Sequence, residues 1–130
     1  NTPQIIYGQS FGGNLAIPLA TRNQQKIEGL VVEGTFMNVK NIANSKIPVF
    51  GGLIISNNYN NRQNLKNFKK PILIVHSKEE RVVNFKLGKQ IFKNANQPKE
   101  FFEIDKPHIN GIRFYHNEIS NKIDSLILKK

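Results

Sequence analysis

A serine hydroxyl becomes a nucleophile only when a base takes its proton. Near neutral pH an imidazole does this when a carboxylate fixes its tautomer and stabilises the imidazolium. Three places along this chain supply those groups in the order serine, acid, histidine: Ser10, the acidic turn Glu79-Glu80, and His108. Ser10 sits in Gly8-Gln9-Ser10-Phe11-Gly12, a Gly-x-Ser-x-Gly pattern that about a few per cent of chains of this length would show by accident. Its flanks give it weight. The apolar run Ile5-Ile6-Tyr7 leads in, and Asn14-Leu15-Ala16-Ile17 opens a helical pattern directly after it. Strand, sharp turn, helix is the setting in which such a turn pushes a serine Oγ out above a sheet as a nucleophile elbow. A side chain at Gly8 or Gly12 is expected to crowd the turn and the facing strand.

Groups so far apart in sequence need elements to bring them together. Gln4 to Tyr7 reads as a short buried strand. A helix is expected from Phe11 to about Arg22, with Leu15, Ala16, Leu19 and Ala20 on one face and a kink at Pro18, which removes a backbone hydrogen bond. Gly29 to Glu33 is the second strand, so the first three elements form a βαβ unit with a right-handed crossover. Pro71 to His76 is a continuous apolar run of the kind that burial on both faces explains. A helix from about Phe85 to Asn94 follows, capped by Asn84 and burying Leu87, Ile91 and Phe92. Glu100 to Ile104 is a fourth strand. The last helix carries Ile112, Tyr115, Ile119, Ile123, Leu126 and Ile127 at steps of three and four.

Between Phe36 and Phe68 no period holds. A short helix from Val39 to Ala43, an apolar run from Pro48 to Ile55 and an asparagine-rich stretch from Asn57 to Asn64 suggest a surface excursion, serving in part as a lid or acyl-binding wall. The element order predicts the α/β class: one domain over residues 1–130, with a parallel sheet of about four strands flanked by helices. Such sheets place their sites at the carboxyl ends of the strands. Ser10, Glu79-Glu80 and His108 each directly follow a different strand, which puts all three on that edge. Glu33 also ends a strand there, but no motif surrounds it and no role is assigned to it. His76 is expected to pack at a strand end, and His116 to be a partly exposed helix residue.

Composition narrows the function classes. With 130 residues, 38% hydrophobic and 22% charged, the chain holds enough apolar material for one core. The absence of cysteine excludes disulfides, thiolate metal sites and a cysteine nucleophile. Three histidines at this spacing do not suggest a zinc site, and neither metal nor cofactor is expected. No apolar run approaches the roughly 20 residues that span a bilayer, and a cytoplasmic location is expected. The formal charge of +10 raises an alternative, a basic module acting on nucleic acid or anionic lipid. Scattered lysines argue against specific nucleic-acid recognition, which favours clustered arginine with interleaved aromatics. A membrane surface is possible but not indicated.

Three blocks in order resemble the α/β-hydrolases, most of all their lipase, esterase and depalmitoylating branch. They are Tyr7-Gly8-Gln9-Ser10-Phe11-Gly12-Gly13, the run from Pro71 to Val83, and Pro107-His108-Ile109-Asn110. The resemblance covers essentially the whole chain and matches the carboxy-terminal half of such proteins. It implies a serine hydrolase of acyl esters or thioesters, with Ser10 as nucleophile, His108 as base and Glu80 as acid. Glu79 is the alternative acid, and the Phe11 N–H is one oxyanion donor. Glu80 stands where the family usually has Asp, and Ser77 and Pro107 stand where it usually has glycine. A remnant or binding module that keeps the fold without turnover is the alternative implication. In the family further strands flank the nucleophile strand, and a second oxyanion N–H follows one of them. The first strand here is therefore expected to be an open apolar edge, paired in a homodimer or by a missing half, and the 130 residues alone are expected to be a feeble esterase.

Overall fold

The computed structural model describes residues 2–42 and 61–129. The described residues form four strands: β1 (Ile5–Gln9), β2 (Gly29–Glu33), β3 (Ile72–Ser77) and β4 (Lys99–Ile104). All pairings are parallel, and the order β1-β2-β3-β4 follows the chain. Every residue of β2 and β3 is buried, as continuous hydrophobic runs covered on both faces require. Alternation along the strands divides the core in two. Leu30, Val32, Ile72 and Ile74 face a cluster with Ala16, Ile17, Leu65 and Ile91, whereas Val31, Leu73 and Val75 face Ile119 and Ile127.

Helix α1 (Phe11–Arg22) has the expected span and contains Pro18 without ending there. Its buried face differs from the expectation. Leu15 and Leu19 are 41% and 47% exposed, while Gly13, Ala16, Ile17 and Ala20 are buried. The first turn of the helix lies so close to the segment after β2 that a methyl group added at Gly13 would stand 2.6 Å from Thr35 Cβ, so glycine is required there.

In the stretch without a period, the short helix expected from Val39 is a 3₁₀ turn, Val39–Ile42, and a helix that was not expected, α2 (Asn61–Asn67), closes it. Asparagines disguised α2. Asn61 is buried and its Nδ2 donates to the Asn14 carbonyl at 2.9 Å, and Leu65 is fully buried. The apolar run from Pro48 to Ile55 and the proposed lid lie outside the described residues.

Helix α3 (Phe85–Asn94) begins as expected, with Asn84 Oδ1 accepting the Lys86 N–H at 2.9 Å. Ile91 is buried, and Leu87 and Phe92 partly so. Helix α4 (Gly111–Lys122) continues into a π-helical stretch, Ile123–Leu128. Ile119 and Ile127 are buried, but Ile112 is 49% exposed, against expectation. Tyr115 has non-helical backbone angles (φ −128°, ψ 27°), and this break in phase turns Ile112 away from the face that Ile119 buries.

Candidate active site

Ser10 joins β1 to α1 with φ 50° and ψ −125°, a left-handed conformation that costs a non-glycine residue about 1–3 kcal/mol. The surrounding bonds hold it there. Its N–H donates to the Glu33 carbonyl at 2.8 Å, and its carbonyl accepts the Gly13 N–H at 3.0 Å and the Thr35 hydroxyl. The hydroxyl itself does not cap the helix. A methyl at Gly8 would stand 2.7 Å from both Ala16 Cβ and Gly13 Cα, so that glycine is demanded by packing. Gly12 is not: a Cβ there would meet nothing within 4 Å, and the second crowded position is Gly13 against Thr35. The expected steric role of Gly12 therefore passes to its neighbour.

His108 Nδ1 lies 2.6 Å from Glu80 Oε2, and the Glu80 side chain is 1% exposed. Glu80 Oε1 accepts the backbone N–H groups of Val82 and Val83 at 2.8 and 3.1 Å, which fixes the carboxylate plane. Burial alone would raise the Glu80 pKa. The bonds from His108, Val83 and Val82 outweigh it and hold the carboxyl below its ordinary value. Glu79 is exposed, and its N–H is turned to Ser77 Oγ at 3.0 Å.

The end of β2 gathers these groups. Glu33 receives the Ser10 N–H, and a methyl on the next residue, Gly34, would stand 3.2 Å from His108 Nδ1 and 3.3 Å from Glu80 Oε2. With φ at +55° as well, Gly34 must be glycine twice over. A cleft lined by Glu79, Arg81, Val82, Pro107 and His108 opens beside the pair. Among the described residues no group of three or more His, Asp or Glu side chains could hold a metal ion.

Ile109 follows the histidine at φ 49° and is 41% exposed. A β-branched residue is strained in that region, whereas asparagine tolerates it. Ile109→Asn is expected to stabilise the fold by about 1 kcal/mol. A urea midpoint that fails to rise would show that the loop carries no such strain.

His76 is buried at the end of β3, with Nε2 2.8 Å from the Val83 carbonyl and Nδ1 without a partner among the described residues. It therefore supports the backbone of the loop that carries Glu80. His116 is exposed on α4. His76 thus packs at the strand end as expected, and Glu33, to which sequence reasoning assigned no role, is equally buried near the site. The signal at Glu33 was an acid closing an apolar strand on the active edge.

The shifts define a stability profile. Burial, opposed by the Val83 bond and the Glu80 charge, lowers the His76 pKa from 6.5, so the unfolded chain protonates first and stability falls as pH drops below 6.5. The Glu80 contribution is present above 4.5 and is lost as pH falls through its lower folded value. Burial and then the bond to Glu33 raise the Tyr7 pKa far above 10.0, so its contribution is lost as pH rises past that point. Urea midpoints should be highest between pH 6.5 and 10.0 and decline on both sides. A midpoint that stays flat from pH 6.5 down to 4.5 would contradict the assignment to His76.

The sequence matches no protein-family profile. It is 25% identical over 117 residues to the uncharacterized protein YfhR of Escherichia coli, covering 88% of this chain and 41% of that one. It is 40% identical over 53 residues to protein bem46 of Schizosaccharomyces pombe, covering 41% of this chain and 18% of that one. The esterase domain of a Rhodothermus marinus protein superposes with a TM-score of 0.79 at 17% identity, over 96% of this chain and 61% of that one. The fold is that of the α/β-hydrolases: such an enzyme from a lagoon-sediment metagenome superposes with a TM-score of 0.74 at 17% identity, over 95% of this chain and 61% of that one. The chain spans less than half the length of the curated relatives it matches. Within this α/β-hydrolase fold, the four strand ends and the loops that follow them carry Ser10, Glu33, Glu80 and His108 on one edge.

Proposed function

We propose that the protein is a serine hydrolase of carboxylic esters or thioesters, with Ser10 as nucleophile, His108 as general base and Glu80 as the acid that orients it. The observation that carries this reading is the 2.6 Å bond between His108 Nδ1 and the buried Glu80 carboxylate, on the same edge of the sheet as a serine held at φ 50°. With Nδ1 committed to Glu80, Nε2 is the nitrogen that exchanges protons with the serine. Ser10 Oγ attacks the acyl carbon as His108 Nε2 takes its proton. The tetrahedral oxyanion is stabilised by the Phe11 N–H at the amino terminus of α1, where the helix dipole favours negative charge. Collapse breaks the bond to the alkoxide or thiolate, which leaves with the proton from His108. Water, deprotonated by His108, then attacks the acyl-enzyme, releasing the carboxylic acid and returning the proton to Ser10. The test is covalent labelling by a fluorophosphonate together with hydrolysis of p-nitrophenyl acyl esters. Labelling that persists undiminished without the Ser10 hydroxyl would overturn the reading.

A further inference from the structure

We propose that Glu33 is a positioning residue that locks the strand carrying the nucleophile to the helix that follows the base. Its side chain contacts neither Ser10 nor His108 through any hydrogen bond in the structure, yet it joins the segments on which both are mounted. Oε2 accepts the Tyr7 hydroxyl at 2.6 Å and Gln9 Nε2 at 3.0 Å, both on β1 just before Ser10. Oε1 accepts the N–H of Gly111 at 2.6 Å, in the first turn of α4, three residues after His108. The Glu33 backbone carbonyl takes the Ser10 N–H as well.

Packing shows how tightly the helix is drawn in. A methyl at Gly111 would stand 2.6 Å from Glu33 Oε1, so the helix can approach only because that residue is glycine. Glu33 is 1% exposed, and among the described residues no lysine, arginine or histidine pairs with it. A carboxylate taken out of water without a cation is costly, and an apolar side chain would complete the core of β2 more cheaply. Three donors from two separate elements converge on it instead. Tyr7 remains a donor at all ordinary pH values, because burial and the bond to Glu33 raise its pKa. Geometry of this kind matters to a reaction in which a displacement of about 1 Å can cost 10²-fold in rate.

The proposal rests on Ser10 and His108 being the reacting pair. Its test is Glu33→Gln in the full chain. The amide has the same shape, but its NH₂ must face either the β1 donors or the Gly111 N–H, so one side of the clamp opens. Fluorophosphonate labelling of Ser10 should slow by about 10²-fold. With p-nitrophenyl acetate the loss should fall on kcat, leaving KM within about twofold. The Gly111 amide should lose hydrogen-exchange protection and the His108 ring resonances should shift. Tyr7→Phe, which removes one donor and keeps the ring, should give smaller changes in the same direction, and it serves if Glu33→Gln does not fold. A folded Glu33→Gln protein with wild-type labelling rate and unmoved His108 resonances would overturn the proposal. So would a loss confined to KM. If the wild type and Ser10→Ala label alike, the hydrolase reading fails. The exchange and ring resonances then still decide whether Glu33 joins the two segments.

Discussion

Replacing Ser10 with alanine is expected to abolish labelling by a fluorophosphonate and to lower ester hydrolysis by about 10⁴-fold or more. The effect is large because the hydroxyl is the only atom removed. The turn is held through the Ser10 backbone by the Glu33 carbonyl, the Gly13 N–H and the Thr35 hydroxyl, and none of these bonds uses the Ser10 side chain. Ser10 Oγ also makes no helix-capping bond, so the variant loses no cap. Ser10→Ala should therefore keep its urea midpoint while losing its reactivity. A variant that lost both together would point to misfolding and require repetition with Ser10→Gly, which suits the left-handed backbone better still.

Glu80→Gln should cost nearly as much, about 10⁴-fold in kcat, whereas Glu79→Gln should change the rate by no more than about twofold. The hydrogen bonds explain the asymmetry. Val82 and Val83 present two N–H donors to Glu80 Oε1, so the carbonyl oxygen of a glutamine is drawn to that side. Its NH₂ then faces His108 Nδ1, which must accept rather than donate. The ring proton moves to Nε2, the nitrogen required to be the base. Glu79 is exposed and makes no contact with the histidine through its carboxylate. Steady-state kinetics on one activated ester decide the matter. The opposite order of effects would move the acid to Glu79, and no effect from either would show that the pair does not serve catalysis.

What was legible in the sequence was whatever a short window records. Continuous apolar runs marked β2 and β3, and the Asn84 cap marked the start of α3 to the residue. The placement of Ser10, Glu80 and His108 on one edge followed from each lying directly after a strand. Features set by contacts between distant segments were not legible. The inner face of α1 holds Gly13, pressed against Thr35, with Ala16, Ile17 and Ala20, and leaves Leu15 and Leu19 exposed. Helix α2 draws its stability from burial of Leu65 and a bond from Asn61 to α1, and its asparagine-rich composition hides both. Glu33 looked like the polar end of a strand because two of its donors precede it by a helix and the third, Gly111, comes 78 residues later.

The coincidence of strand order with chain order bears on how the protein is made. Each of β2, β3 and β4 pairs with the described strand synthesised before it, so this part of the sheet can extend in chain order as the polypeptide leaves the ribosome at about 5–20 residues per second. Among the described residues growth pauses after Glu33, because the next strand begins at Ile72. During that interval β2, apolar up to its closing Glu33, presents an unpaired edge. The arrival of β3 covers that edge. Chains halted between these strands should therefore be the species that chaperones engage and that aggregate, while chains released after Ser77 should already hold the central pair of strands.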